Sequence, residues 1–187
     1  FGLGEGRGGQ EGGDAGSDAR LCAEKLKCLL HYFGFALQRL REDGAWAAET
    51  VEVVRRGSPT RGTDWRASAA RLGDITVTVR SEGRMEEAAA DFEADFANAH
   101  VGGGVLGRGC VQEEIRFLIA PELIVSKVLC SRLADDESLL ICGAQVVSRY
   151  TGYRQSFRWS GPVHPPESEG ATRRVVTVMD ALDTHRH

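Results

Sequence analysis

The sequence predicts an α/β fold, because short β-branched runs alternate along it with helix-like stretches, and because a cluster of glycines stands where a strand gives way to a helix. The chain has 187 residues, 42% hydrophobic and 27% charged, a balance that suits one packed domain. Residues 1–19 differ from the rest. Eight of the first sixteen are glycine, a composition that buries too little apolar area to offset its ordering entropy, so a flexible leader is expected there. A helix is expected from Asp18 or Ala19, with Leu26, Leu29, Leu30, Phe33, Leu37 and Leu40 spaced mostly by threes and fours as its core face. The β-branched runs 50–54 and 74–79 predict strands on either side of a polar loop, while 81–93 show no clean period. From Asp95 the chain reads Asp-Phe-Ala-Asn-Ala-His-Val into Gly102, the form of a buried strand emptying into a glycine loop, and a helix is expected from about Val111. Pro121 suits the first turn of another helix, where its missing N–H is harmless, with Val125, Val128, Leu129 and Leu133 as the buried stripe. The runs 138–142, 145–150 and 175–179 complete the expected strands.

A net charge of −4 argues against a general basic surface for nucleic acid, and no sequence-specific nucleic-acid binding is expected. A small anionic ligand stays compatible with it, since backbone N–H groups and helix N-termini hold phosphate without basic side chains. Cys22, Cys28, Cys110, Cys130 and Cys142 are odd in number, scattered and without a C-x-x-C pair. They are expected to be reduced and mostly buried, in a reducing compartment, nucleus or cytoplasm. His31, His100, His164, His185 and His187 have no metal-ligand spacing, and neither a metal nor a cofactor is expected. With no apolar stretch of membrane-spanning length and no signal peptide the chain reads as soluble, with no membrane partner. A start at Phe1 rather than Met is expected of a fragment or a processed product.

Gly102, Gly103, Gly104, Gly107 and Gly109 place five glycines in eight residues, where bare backbone reaches positive φ and presses close to a ligand, with phosphate the natural guest, or else serves as a plain flexible connector. Residues 102–107 satisfy G-x-G-x-x-G, but the acidic residue that should close the following strand is lacking, and Arg108-Gly109 excludes a phosphate-binding P-loop. Gln112, Glu113 and Glu114 follow in what should be the first turn of a helix. Acidic residues there complement the helix dipole. Beside an anion-sized loop they also suggest chemistry: adjacent carboxylates and burial raise pKa, so one can stay protonated as a general acid. Side chains about 100° apart on a helix are not expected to face each other across one sugar ring.

Asp95-Phe-Ala-Asn98, Val101-Gly-Gly-Gly104, Val111-Gln-Glu-Glu-Ile-Arg-Phe117, Pro121-Glu-Leu-Ile124, Tyr150-Thr-Gly-Tyr153 and Arg158-Trp159 closely resemble the catalytic core of poly(ADP-ribose) glycohydrolases, whose signature is a triple glycine, a short spacer and Gln-Glu-Glu. Lys25-Leu-Lys-Cys-Leu-Leu-His-Tyr-Phe33 looks like the family's helix just upstream. Residues 43–94 match loosely and 1–19 not at all. The resemblance implies a macrodomain, a mixed sheet between helices, that binds ADP-ribose and hydrolyses the ribose–ribose O-glycosidic bonds of poly(ADP-ribose). It implies Glu114 as the acid that protonates the leaving ribose oxygen, Glu113 as the carboxylate that orients ribose hydroxyls, and Asp95 as a supporting acid. Asn98 and Gln112 look like substrate contacts, Gly103 and Gly104 like the loop that takes ribose and diphosphate, and Tyr153 like a tyrosine that packs on the ligand. Met85 and Glu86 resemble an adenine-contacting pair, though the spacing to Asp95 is one residue shorter than the family's.

The partners so implied are poly(ADP-ribose), ADP-ribose and poly(ADP-ribosyl)ated proteins. The family continues past the point resembling 181–183, through a second glycine-rich loop and the closing strands. Residues 20–187 are therefore expected to be the N-terminal portion of the catalytic domain, incomplete on its C-terminal side and weakly active or inactive alone. Two alternatives are compatible with the sequence: an ADP-ribose-binding module without turnover, and a nucleotide-dependent oxidoreductase resting on the glycine fingerprint.

Overall fold

The computed structural model describes residues 15–57, 64–69, 71, 73, 75–88, 90–163 and 174–181. Its elements in chain order are α1 (Ala15–Glu42), β1 (Glu52–Gly57), β2 (Phe92–Ala97), α2 (Gln112–Ile119), α3 (Ile124–Leu129), β3 (Glu137–Cys142), β4 (Ser148–Thr151), β5 (Arg158–Pro162) and β6 (Val175–Asp180). Four strands make a mixed sheet in the order β1-β3-β6-β2, antiparallel except for the parallel pair β2 and β6, and β4 with β5 forms a separate hairpin.

Alternation in β3 and β6 sends Leu139, Ile141, Val176 and Val178 to one face, where all four are fully buried. The register Leu139↔Val178 and Ile141↔Val176 joins them into a layer. Against it lie Ile115, Phe117, Leu118 and Ile119 of α2, with Leu21 and Cys28 of α1 and Phe157 in the same core. Full burial of side chains of this size stabilises by about 1.5–3 kcal/mol each. The opposite face of the sheet carries exposed Phe92 and Phe96. Among the described residues no helix is long and apolar enough to cross a membrane.

Several sequence expectations are corrected. Helix α1 starts at Ala15, so 15–19 are not leader. Ser17 donates to Gln155 at 3.0 Å and Asp18 pairs with Arg108 at 3.3 Å, which ties down the first turn; residues 1–14 lie outside the described residues. The apolar stripe does not face the core: Leu26, Leu30, Phe33, Leu37 and Leu40 are exposed, and the buried face is Leu21, Glu24, Lys25 and Cys28. Val125, Val128 and Leu129 are likewise exposed, and Leu133, though buried, lies beyond the end of α3. Pro121 opens a short 3₁₀ turn, Pro121–Leu123, before α3.

Residues 75–79 form no strand. Ile75, Val77 and Val79 are exposed, because a β-branched run needs a neighbour to pair with and β1 takes β3 instead; Asp74 lies outside the described residues. The run 145–150 is strand only from Ser148. All five cysteines are free, but only Cys28 and Cys110 are buried. His164, His185 and His187 are outside the described residues.

Candidate active site

β2 is an edge strand, and its alternation buries Glu93, Asp95 and Ala97 beneath α2. Glu93 is matched by Arg116 of α2, with Nε 2.8 Å from Oε1 and both side chains 2% exposed. Asp95 has no such partner. Among the described residues neither of its oxygens finds a hydrogen-bond donor. Burial, with the Glu113 carboxylate adding, pushes its pKa up to about 8.

After β2 the chain makes successive tight turns, Gly103 N–H to His100 O at 3.0 Å, Val105 N–H to Gly102 O at 3.0 Å and Gly107 N–H to Gly104 O at 2.8 Å. Positive φ at Gly102 (+80°) and Gly103 (+40°) is what makes glycine necessary there. The loop wraps the first turn of α2. Glu113 Oε1 accepts from Gly102 N–H at 2.5 Å and Oε2 from Asn98 N–H at 3.1 Å. Glu114 Oε1 accepts from Gly104 N–H at 2.8 Å, and Oε2 from Val111 N–H at 2.8 Å, which caps the helix. Burial raises Glu113 to about 7 against the pull of its two N–H donors.

The carboxylates of the two glutamates meet at one point of the loop. A Cβ at Gly103 would stand 2.5 Å from Glu114 Oε1 and 2.7 Å from Glu113 Oε2; side-chain length overcomes the angle between consecutive helical residues. A Cβ at Gly104 would meet the Gly109 nitrogen at 2.7 Å, and one at Gly109 would strike Glu114 Oε1. Gly103 and Gly109 thus make room for the two carboxylates, and Gly104 for the close approach of the Gly109 backbone. With the helix N-terminus filled by acid side chains, and with β2 parallel, among the described strands, to β6 alone, the G-x-G-x-x-G run does not sit in the βαβ unit of a nicotinamide-dinucleotide fold.

The other sequence-named residues take distinct places. Asn98 Oδ1 accepts from His100 N–H at 2.9 Å, a local turn. The Gln112 amide lies along β2, accepting from Phe96 N–H at 3.0 Å and donating to Ala94 O at 3.2 Å, so it satisfies the strand edge as another strand would. Met85 and Glu86 sit in a 3₁₀ turn. Arg84 holds that turn on β4, with its guanidinium 4.2 Å from the Tyr150 ring centroid and 2.8 Å from the Tyr150 carbonyl. Met85 and Tyr153 are both exposed, Tyr153 by 49%. Glu86, Gln112 and Tyr153 line one small cleft of about 80 Å³ together with Arg116 and Tyr150. Met85 is not among its walls. Sequence reasoning gave no role to Glu93, Arg116, Lys25 or Lys127. The last two bond to carbonyls of the glycine loop.

This geometry offers a buried carboxyl cluster able to hold a proton near neutral pH, beside a glycine loop that shapes a close-fitting wall. Such a site supports general acid catalysis on a bond with a poor leaving group.

Residues 62–187 match the family model described as poly(ADP-ribose) glycohydrolase, macro domain fold. The chain is 38% identical over 145 residues to poly(ADP-ribose) glycohydrolase 1 of Caenorhabditis elegans, covering 77% of this chain and 18% of that protein. It is 37% identical over 161 residues to poly(ADP-ribose) glycohydrolase 1 of Arabidopsis thaliana, covering 85% and 28%. To poly(ADP-ribose) glycohydrolase 2 of Caenorhabditis elegans it is 34% identical over 174 residues, covering 89% and 35%. The aligned regions thus span between 18% and 35% of the length of these curated relatives.

Proposed function

Because the chain belongs to the poly(ADP-ribose) glycohydrolase family, we propose that the full-length protein hydrolyses the ribose–ribose O-glycosidic bonds of poly(ADP-ribose) and releases ADP-ribose. The observation that carries this reading is the convergence of Glu113 and Glu114 on Gly103, next to a buried acid, Asp95, with its pKa raised to about 8. Glu114 gives a proton to the leaving ribose oxygen as the bond from the anomeric carbon to that oxygen breaks. Water then adds to the oxocarbenium-like carbon and gives up a proton to the Glu114 carboxylate, so the acid is restored and the bond is hydrolysed without a cofactor or metal. Glu113 orients ribose hydroxyls, and it and Asp95 keep protons within the cluster at neutral pH. Gly103 and Gly104 take the ribose and diphosphate, Asn98 and Gln112 contact the ligand, Tyr153 packs on it, and Met85 with Glu86 receives the adenine; the shared cleft of Glu86, Gln112 and Tyr153 supports the assignments of those three residues.

The partners are poly(ADP-ribose), ADP-ribose and poly(ADP-ribosyl)ated proteins. A reducing compartment, nucleus or cytoplasm, fits five free cysteines. The 187 residues alone are weakly active or inactive, a reading supported by the exposed Phe92 and Phe96 on one sheet face and the exposed stripe of α1.

The test is release of ADP-ribose from purified polymer by the full-length protein, run beside calorimetric binding of ADP-ribose and of a nicotinamide dinucleotide. Release with ADP-ribose binding supports the reading. Binding without release would make the protein a recognition module, and preference for the nicotinamide dinucleotide would remove it from this chemistry.

A further inference from the structure

The glycine loop turns N–H groups towards Glu113 and Glu114 and carbonyls towards two lysines. Lys127 Nζ, from α3, donates to Gly103 O at 2.7 Å. Lys25 Nζ, from α1, reaches Gly104 O at 3.2 Å, Val105 O at 3.1 Å, Gly107 O at 2.9 Å and Gly109 O closer still. Lys25 is 5% exposed. Burying an ammonium is strongly unfavourable unless its N–H groups are all met, so the four carbonyls and the lysine stabilise each other much as oxygen ligands and a bound cation do.

A peptide unit is planar, and its C=O and N–H point in opposite directions. The unit joining Gly103 to Gly104 is therefore held at both ends: its carbonyl by Lys127 and its N–H, at 2.8 Å, by Glu114 Oε1. Flanked by two glycines, it has no side chain to bias which way it faces. Turned over, it would set a carbonyl oxygen against the Glu114 carboxylate. The lysines supply the bias that the glycines lack. Lys127 orients the unit that touches Glu114, and Lys25 fixes the carbonyls that follow, through Gly109, whose missing Cβ leaves the space Glu114 occupies.

We infer that Lys127 and Lys25 are positioning residues that fix the peptide orientation of the glycine loop and through it the placement of Glu114, an inference that rests on the hydrolytic function proposed above.

The test uses the full-length protein with Lys127→Met, Lys127→Arg and Lys25→Met. Lys127→Met keeps the aliphatic stem and removes one hydrogen bond, so its melting temperature should stay within about 4 °C of wild type. Its turnover of polymer should fall at least about tenfold, since misplacement of a reacting group by about 1 Å can lower rates about 10²-fold, with KM changed less than kcat. Lys127→Arg, which keeps a cationic donor, should recover most of that loss. Lys25→Met should lose more turnover and also melt lower. Hydrogen exchange, read over peptides spanning 100–112, should speed up in both Met variants and stay slow across β3 and β6. Wild-type turnover in Lys127→Met, or turnover lost with loop exchange unchanged, would overturn the inference. So would a loosened loop with normal turnover. If the wild type released no ADP-ribose at all, the proposed function would fail while loop exchange in the Met variants still decided whether the lysines hold the loop.

Discussion

On one side of α1, Leu21, Glu24, Lys25 and Cys28 are buried; on the other, Leu26, Leu30, Phe33, Leu37 and Leu40 stand between 46% and 61% exposed. The charged side is inside because each charge has partners there. Glu24 accepts from Lys27 at 2.6 Å and from Trp159 N–H at 2.9 Å, and Lys25 has its four carbonyls. The apolar side has only a partial wall around it among the described residues: Phe33 and Leu40 join Trp46, Val125 and Val128 along an open groove of about 700 Å³. None of Glu93, Asp95, Glu113 and Glu114 lines that groove. The contrast separates two jobs in one helix. Its inner face supports the site, and its outer face is apolar surface of the kind that marks a contact with further protein.

The largest effect should come from the site that the inner face supports. In the full-length protein Glu114→Gln should lower polymer turnover about 10²–10⁴-fold, the usual worth of a general acid. It should also destabilise by about 1–3 kcal/mol, because both oxygens of Glu114 accept N–H groups and the amide end of Gln would leave one of them unpaired. Turnover assays with thermal melting check both. Gly103→Ala should follow, with roughly 10²-fold lower turnover, since the new methyl collides with both carboxylates and the position has φ +40°; Gly107→Ala, whose Cβ would find its nearest atom 3.7 Å away, is the matched control.

A smaller effect concerns pH. Asp95 and Glu113 are raised from ordinary values of 3.8 and 4.5 to about 8 and about 7. A raised carboxyl favours the folded state in its protonated form, so its contribution is complete below the ordinary value and is lost as pH rises through the folded value. Melting temperature should fall as pH rises from about 4 to about 8, and Asp95→Asn, which cannot ionise, should flatten that fall in melts taken across the range. The smallest effect should come from the outer face. Leu30→Ser in the 187-residue chain should change stability by no more than about 0.5 kcal/mol while reducing light scattering on concentration, and a large loss of stability would show that this face is packed after all.

The alternation of strands and helices was legible in the sequence, as were the glycine loop and the helix that opens at Gln112. Periodicity located α1 but assigned its faces the wrong way round, because a hydrophobic stripe reports which side avoids water in the finished protein and does not say which neighbours this chain supplies. The run 75–79 looked like a strand for a similar reason: its residues suit a sheet, but pairing depends on a partner far away in sequence. Within the site, Glu113 and Glu114 were conspicuous beside the glycines. Their convergence was not, since a 100° step on a helical wheel ignores two methylenes of reach and a loop that folds back over the helix. Lys25 was hidden because no local pattern shows a charge whose partners are carbonyls 79–84 positions further on.

The most direct test of the account is to incubate labelled poly(ADP-ribose) with the full-length protein and with its Glu113→Gln/Glu114→Gln double variant, and to follow polymer length and free ADP-ribose by chromatography. Chemistry at the paired carboxylates predicts that the wild type shortens the polymer and accumulates free ADP-ribose, while the folded double variant leaves it intact. Polymer shortened equally by both, or left at full length by both while ADP-ribose is bound, would contradict it.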